Sequence, residues 1–259
     1  MKAWESNIRK VEPYVPGEQP KVQDVIKLNT NENPYGPSEN VRKAMEAIDI
    51  DRCRLYPDPD VTKLVKSIAD YYGMDNNQVF VGVGSDDVLS MCFLTFFNGK
   101  KPVLFPDITY SFYSVWADLY RIPYEKQKLD DNMKIVPEDY YKENGGVIFP
   151  NPNAPTGLLM DLDSVRDIIE HNKDVVVIVD EAYIDFGGVS AKDLVNEYDN
   201  VLVVQTFSKS RSMAGMRIGY AFGSKELIKA LNDVKFSFNS YTMNMTSVSY
   251  THLTLPTTS

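Results

Sequence analysis

Residues 175–209 run VVVIVDEAYIDFGGVSAKDLVNEYDNVLVVQTFSK. Val175 to Val179 are five consecutive β-branched residues and end in Asp180; a second apolar run, VLVVQ at 201–205, ends in TFSK at 206–209. Runs this short and this uniformly apolar suit strands buried on both faces, as in a parallel sheet with helices above and below it. The polar cluster after each run matters, because ligands in open α/β sheets gather at the carboxyl ends of the strands.

The same rhythm extends outward. Strand-like segments QVFVG (78–82), KPVLF (101–105), GVIF (146–149) and RIGYAF (217–222) alternate with helix-like ones. The latter are SDDVLSMCFLTFF (85–97), YSFYSVWADLY (110–120), DLDSVRDIIEHN (161–172) and SKELIKALNDV (224–234). Two further helices are expected upstream, over SENVRKAMEAI (38–48), opened by Pro37 and Ser38, and over DVTKLVKSIADYYG (60–73), ended by Gly73. The expected fold is α/β, a mostly parallel central sheet with helices on both faces.

Composition narrows the function. The 259 residues are 43% hydrophobic and 24% charged, enough for a packed core. A net charge of −9 argues against nucleic acid or an anionic membrane as partner. No apolar run reaches the ~18–20 residues of a membrane span, and MKAWESNIRKVEPYV has no apolar signal region, so a cytoplasmic protein is expected. Two cysteines without a paired spacing and two histidines, His171 and His252, leave a metal site or a histidine-based triad unsupported.

Four strand-like runs end in polar clusters: SDD at 85–87, PNPNAPTG at 150–157, DEAY at 180–183 and TFSK at 206–209. In GVGSDD, Gly82 and Gly84 allow close backbone approach, and Ser85 and Asp86 open a helix whose free N–H groups favour an anion such as phosphate. Helix capping by Ser85 is the plainer reading, and a dinucleotide fingerprint is disfavoured because Asp87 stands where its third glycine would be. Asp180, at the end of a buried strand, needs a partner; a helix cap, an ion pair or a protonated ring nitrogen would serve. Tyr183 lies three residues on. Lys209 is flanked by Thr206, Ser208, Ser210 and Ser212, with Arg217 further along. Hydroxyls and a guanidinium suit phosphate recognition, and a nearby cation favours the neutral amine that attacks carbonyls. A nucleophilic lysine, an acid for a ring nitrogen and a phosphate cradle together suit pyridoxal phosphate.

At this point a family resemblance enters. NTNENPYGPS (29–38), RLYPDPD (54–60), GVGSDD (82–87), PDITYSFY (106–113), FPNPNAPTG (149–157), VDEAY (179–183), TFSKSRSMAGMRIGY (206–220) and NSYTMN (239–244) resemble the histidinol-phosphate aminotransferases, fold-type I pyridoxal-phosphate enzymes. The resemblance implies transamination between L-histidinol phosphate and 2-oxoglutarate in the full-length parent. It implies that Lys209 carries the cofactor and shuttles the proton, that Asp180 pairs with the pyridinium and that Tyr183 bonds the ring hydroxyl. Tyr110 would stack on the ring; Ser85, Asp86, Thr206, Ser208 and Arg217 would hold the phosphate end. Tyr56 would reach the cofactor of a neighbouring subunit, implying a homodimer, and Tyr14 and Asn33 would lie near the substrate. Where the family often has asparagine before Pro-Thr-Gly, this chain has Ala154; either Asn153, one place earlier, substitutes or Tyr183 carries the ring-hydroxyl contact with less help. A threonine-phosphate decarboxylase or an aromatic aminotransferase would share these motifs; a fragment without turnover is a third reading.

Family members continue for on the order of a hundred more residues, which complete a small domain and supply an arginine for the substrate carboxylate. The expected division is an N-terminal arm and part of the small domain at 1–37, the cofactor-binding large domain at 38–236, the start of an interdomain helix at 237–247 and a non-native tail at 248–259. The chain is thus expected to be C-terminally truncated and to turn over little.

Overall fold

The computed structural model describes residues 3–12 and 26–239. Tyr14, the segment from 240 to 247 and the expected tail lie outside the described residues.

Among the described residues, seven strands form one sheet: β1 (Val79–Gly82), β2 (Val103–Pro106), β3 (Tyr124–Gln127), β4 (Gly146–Pro150), β5 (Val177–Asp180), β6 (Val201–Thr206) and β7 (Gly219–Gly223). Their order is β1-β7-β6-β5-β4-β2-β3. The pairs from β6 through β3 are parallel; β7 runs antiparallel to both β6 and β1. The expected mostly parallel sheet is therefore present. β3, YEKQ, is an addition: an edge strand with Glu125 and Lys126 exposed, which lacks the apolar signature of its neighbours.

Among the described residues the α-helices are six: α1 (Glu39–Glu46), α2 (Thr62–Tyr72), α3 (Ser85–Phe96), α4 (Phe112–Tyr120), α5 (Leu162–Glu170) and α6 (Lys225–Val234). Strand alternation sends successive side chains to opposite faces. Ile178, Leu202 and Val204 pack with α3, α4 and α6. Val177, Val179, Val201 and Val203 pack with α2 and α5. Helix ends follow the local chemistry: Gly73 closes α2 at φ 69°, and the side chains of Asp161 and Ser224 accept from backbone N–H groups in the first turns of α5 and α6. Ser85 is the exception to expectation. It is the first residue of α3 rather than its cap; the cap is Gly84, at φ 87°, where a side chain would be strained.

Candidate cofactor site at the strand ends

Alternation also sorts the polar residues at the strand ends. Asp180 and Thr206 continue the face shared with α3 and α4, whereas Glu181 and Gln205 continue the opposite one. On the first face a cleft of about 720 Å³ opens, lined among others by Ser85, Asp86, Tyr110, Asp180, Tyr183, Thr206, Ser208, Lys209 and Arg217. That volume is in the range of sites for a cofactor and a small substrate.

Asp180 is the buried acid of the cleft. One carboxylate oxygen accepts from the Tyr113 hydroxyl at 2.7 Å and the other from the Ala182 N–H at 3.3 Å. Burial pushes its pKa up to about 6; the Tyr113 hydrogen bond opposes that rise and nearby Asp86 adds to it. Tyr113 is fully buried on α4. In sequence it reads as one more core aromatic, and only its three-residue spacing from Tyr110 hints that both face the same way.

The lysine sits opposite. Lys209 Nζ donates to the Thr30 carbonyl at 2.7 Å and stands 5.5 Å from the centre of the Tyr183 ring. Thr30 and Asn31, at φ 61° and 51°, bend the incoming chain over the cleft. Asn31 then donates to the Tyr183 hydroxyl at 2.9 Å, and Asn33 donates to the carbonyls of Lys209 and Ser210, each at 3.3 Å. Asn33 thus braces the lysine turn. Asn31 and Glu32, unassigned in the sequence, line the cleft itself.

The third wall is an anion cradle. The N–H groups of Ser85 and Asp86 lie in the first turn of α3, where a helix supplies no acceptor of its own. Arg217 approaches from the start of β7 and meets the Asp86 carboxylate at 3.3 Å, while the other Asp86 oxygen accepts from Tyr110 at 2.7 Å. Thr206 donates to the Ser208 hydroxyl at 3.0 Å. The backbones here touch: a Cβ on Gly219 would lie 2.2 Å from the Ser85 nitrogen, and one on Gly84 would lie 2.5 Å from an Arg217 nitrogen. Glycine at both places keeps the cradle open.

Comparison with known proteins bears on these features together. The model for aminotransferase class I and II matches residues 23–254. The chain belongs to the aminotransferase class I and II family. The histidinol-phosphate aminotransferase of Clostridium beijerinckii is 55% identical over 243 residues, covering 94% of this chain and 68% of that one. A putative histidinol-phosphate aminotransferase from Erwinia carotovora atroseptica superimposes with a TM-score of 0.78 at 23% identity, over 85% of this chain and 66% of that chain. The histidinol-phosphate aminotransferase of Sinorhizobium meliloti, solved with pyridoxal-5'-phosphate, gives 0.76 at 20% identity, over 84% and 61% of the two chains. The last two similarities speak to the fold.

Asn153 and Tyr56 do not line this cleft; Tyr56 is expected at the cofactor of a neighbouring subunit instead. Asn153 is buried beside the cleft, where its amide donates to the Ile108 carbonyl and its oxygen accepts from Thr109; it lines a smaller neighbouring cavity with Phe186 and Gly187. Tyr56 is 83% exposed and stacks on Phe238 with ring centres 4.8 Å apart, away from the cleft. Among the described residues no group of three or more His, Cys, Asp or Glu is placed to hold a metal ion, and no helix is long and apolar enough to cross a membrane.

Proposed function

We propose that this chain binds pyridoxal phosphate in the cleft and exchanges an amino group between L-histidinol phosphate and 2-oxoglutarate. The observation that carries the reading is convergence. A lysine, a buried carboxylate and a helix N-terminus with an arginine, from β5, β6, β7 and α3, face one cavity. The donor set fits the group. The glycine-lined cradle and Arg217 suit its phosphate, Asp180 suits a protonated ring nitrogen, Tyr183 suits the ring hydroxyl and Lys209 suits the aldehyde. Pyridoxal phosphate, when bound, supplies an electron sink for a negative charge developing at the substrate α-carbon.

The protein's own groups supply orientation and proton handling. A cationic ring nitrogen near Asp180 would favour its carboxylate form, offsetting the effect of burial. Lys209 Nζ, released from Thr30, is a proton acceptor and donor inside the cleft. Arg217 supplies a fixed positive charge at the phosphate end. The relatives' names and the 55% identity favour histidinol phosphate over threonine phosphate or an aromatic amino acid as substrate. A homodimer in which Tyr56 reaches a neighbouring cofactor is part of this proposal. Its exposed ring leaves it accessible to a second copy.

The test is direct. The purified chain is supplied with pyridoxal phosphate and 2-oxoglutarate, and glutamate is measured with L-histidinol phosphate, threonine phosphate or phenylalanine as amino donor. Turnover is expected to be low and to favour histidinol phosphate. Carbon dioxide release from threonine phosphate would assign the decarboxylase reaction instead.

A further inference from the structure

We infer that Arg211 is a positioning residue for Lys209, holding the lysine turn against the sheet through a buried polar chain on the face opposite the cleft; this rests on the cofactor reading above. The turn itself is closed by backbone. Ser212 N–H bonds the Lys209 carbonyl at 3.1 Å, and Met213 N–H bonds the Phe207 carbonyl at 3.0 Å. Such bonds set the turn's shape, not its tilt on the sheet.

Arg211, two residues past Lys209, supplies an anchor to α2 in addition to the brace from Asn33. Its side chain is only 5% exposed. The guanidinium lies over the rings of Phe207 and Tyr71, 5.2 and 5.8 Å from their centres. It donates to the Tyr72 hydroxyl on α2 at 2.9 Å and stands 3.6 Å from the Asp185 carboxylate, which also accepts from Ser210. The chain continues beneath the strands. Tyr72 and Tyr220 donate to the Gln205 side-chain oxygen, Oε1, at 3.0 and 2.8 Å, and the Gln205 side-chain Nε2 donates to Glu181 at 2.8 Å. Positions on both sides of Lys209, at 205, 210 and 211, are thereby tied to α2 and to the segment after β5.

Stability alone accounts poorly for this arginine. Its Nε is buried with no acceptor. An apolar side chain of similar length would fill the space between the rings without desolvating a charge. What the guanidinium adds is direction: three fixed points behind the turn that carries the amine in front.

Two ligands separate positioning from folding. Pyridoxal phosphate can attach to Lys209 and be fixed there by borohydride; pyridoxamine phosphate, without the aldehyde, uses the cradle but not the lysine. With wild type attaching at Lys209, Arg211→Met is expected to slow attachment about tenfold, the effect of losing one charged hydrogen bond. Pyridoxamine phosphate binding should stay within about twofold. Arg211→Lys should restore most of the rate. Tyr72→Phe, which deletes one oxygen and leaves the packing, should slow attachment about threefold. Equal loss of both ligands in Arg211→Met and Tyr72→Phe would make the cluster structural and overturn the inference, as would unchanged attachment in both variants. No attachment at Lys209 in wild type would instead remove the cofactor reading, and the inference with it.

Discussion

Asp180 and Glu181 are sequence neighbours, both buried, and they do opposite things. Burial raises both, Asp180 to about 6 and Glu181 to about 7. Glu181 faces the rear, where Ser190, the Ala191 N–H and the Gln205 amide all donate to it at 2.6–2.8 Å. Asp180 faces the cleft with one short bond, from Tyr113, and one longer bond, from Ala182. The rear carboxylate is saturated by neutral donors and belongs to the scaffold. The front one is left with lone pairs for a cation that the described protein groups around it do not supply. One step along a strand separates scaffold from site.

Breaking the front face should have the largest consequences. Lys209→Ala is expected to reduce transamination by about a thousandfold or more, read in the glutamate assay, since it removes the cleft's proton-transfer amine. Gly219→Ala comes next. Its methyl would intrude on the Ser85 nitrogen, so pyridoxal phosphate affinity, measured by fluorescence titration, should fall about ten- to a hundredfold. Tyr113→Phe removes the donor that opposes the rise at Asp180. The carboxyl should hold its proton to higher pH, and cofactor affinity at pH 7 should drop about tenfold, with partial recovery at higher pH.

Glu181 itself should show in the pH dependence of stability. A carboxyl raised on folding stabilises the native state while protonated, and that contribution is lost as pH rises through the folded value. For Glu181, whose usual value is 4.5, the window runs from about 4.5 to about 7. Thermal unfolding of the cofactor-free chain should therefore show Tm falling across this range, and Glu181→Gln should flatten the slope.

The same division explains what could be read from the sequence. β5 and β6 announce themselves because burial on both faces leaves only apolar residues, and the clusters after them mark the cleft. β3 escaped because an exposed edge strand can be as polar as a loop. Tyr113 escaped because a buried donor and a core aromatic look alike until a partner is known. Glu181, Gln205 and Arg211 escaped for a related reason: a polar residue at a strand end signals a site only once its face is known. Asn153 stands two residues before Pro-Thr-Gly, and nothing in the sequence shows that its amide bonds the backbone at Ile108.

The central claim is that the front cleft holds pyridoxal phosphate on Lys209. It is tested most directly by mixing chain and cofactor, fixing the adduct with borohydride, digesting and locating the label by mass spectrometry. A single label on the peptide carrying Lys209, lost in Lys209→Ala, is the predicted result; no label, or label scattered over surface lysines and unchanged in Lys209→Ala, would contradict it.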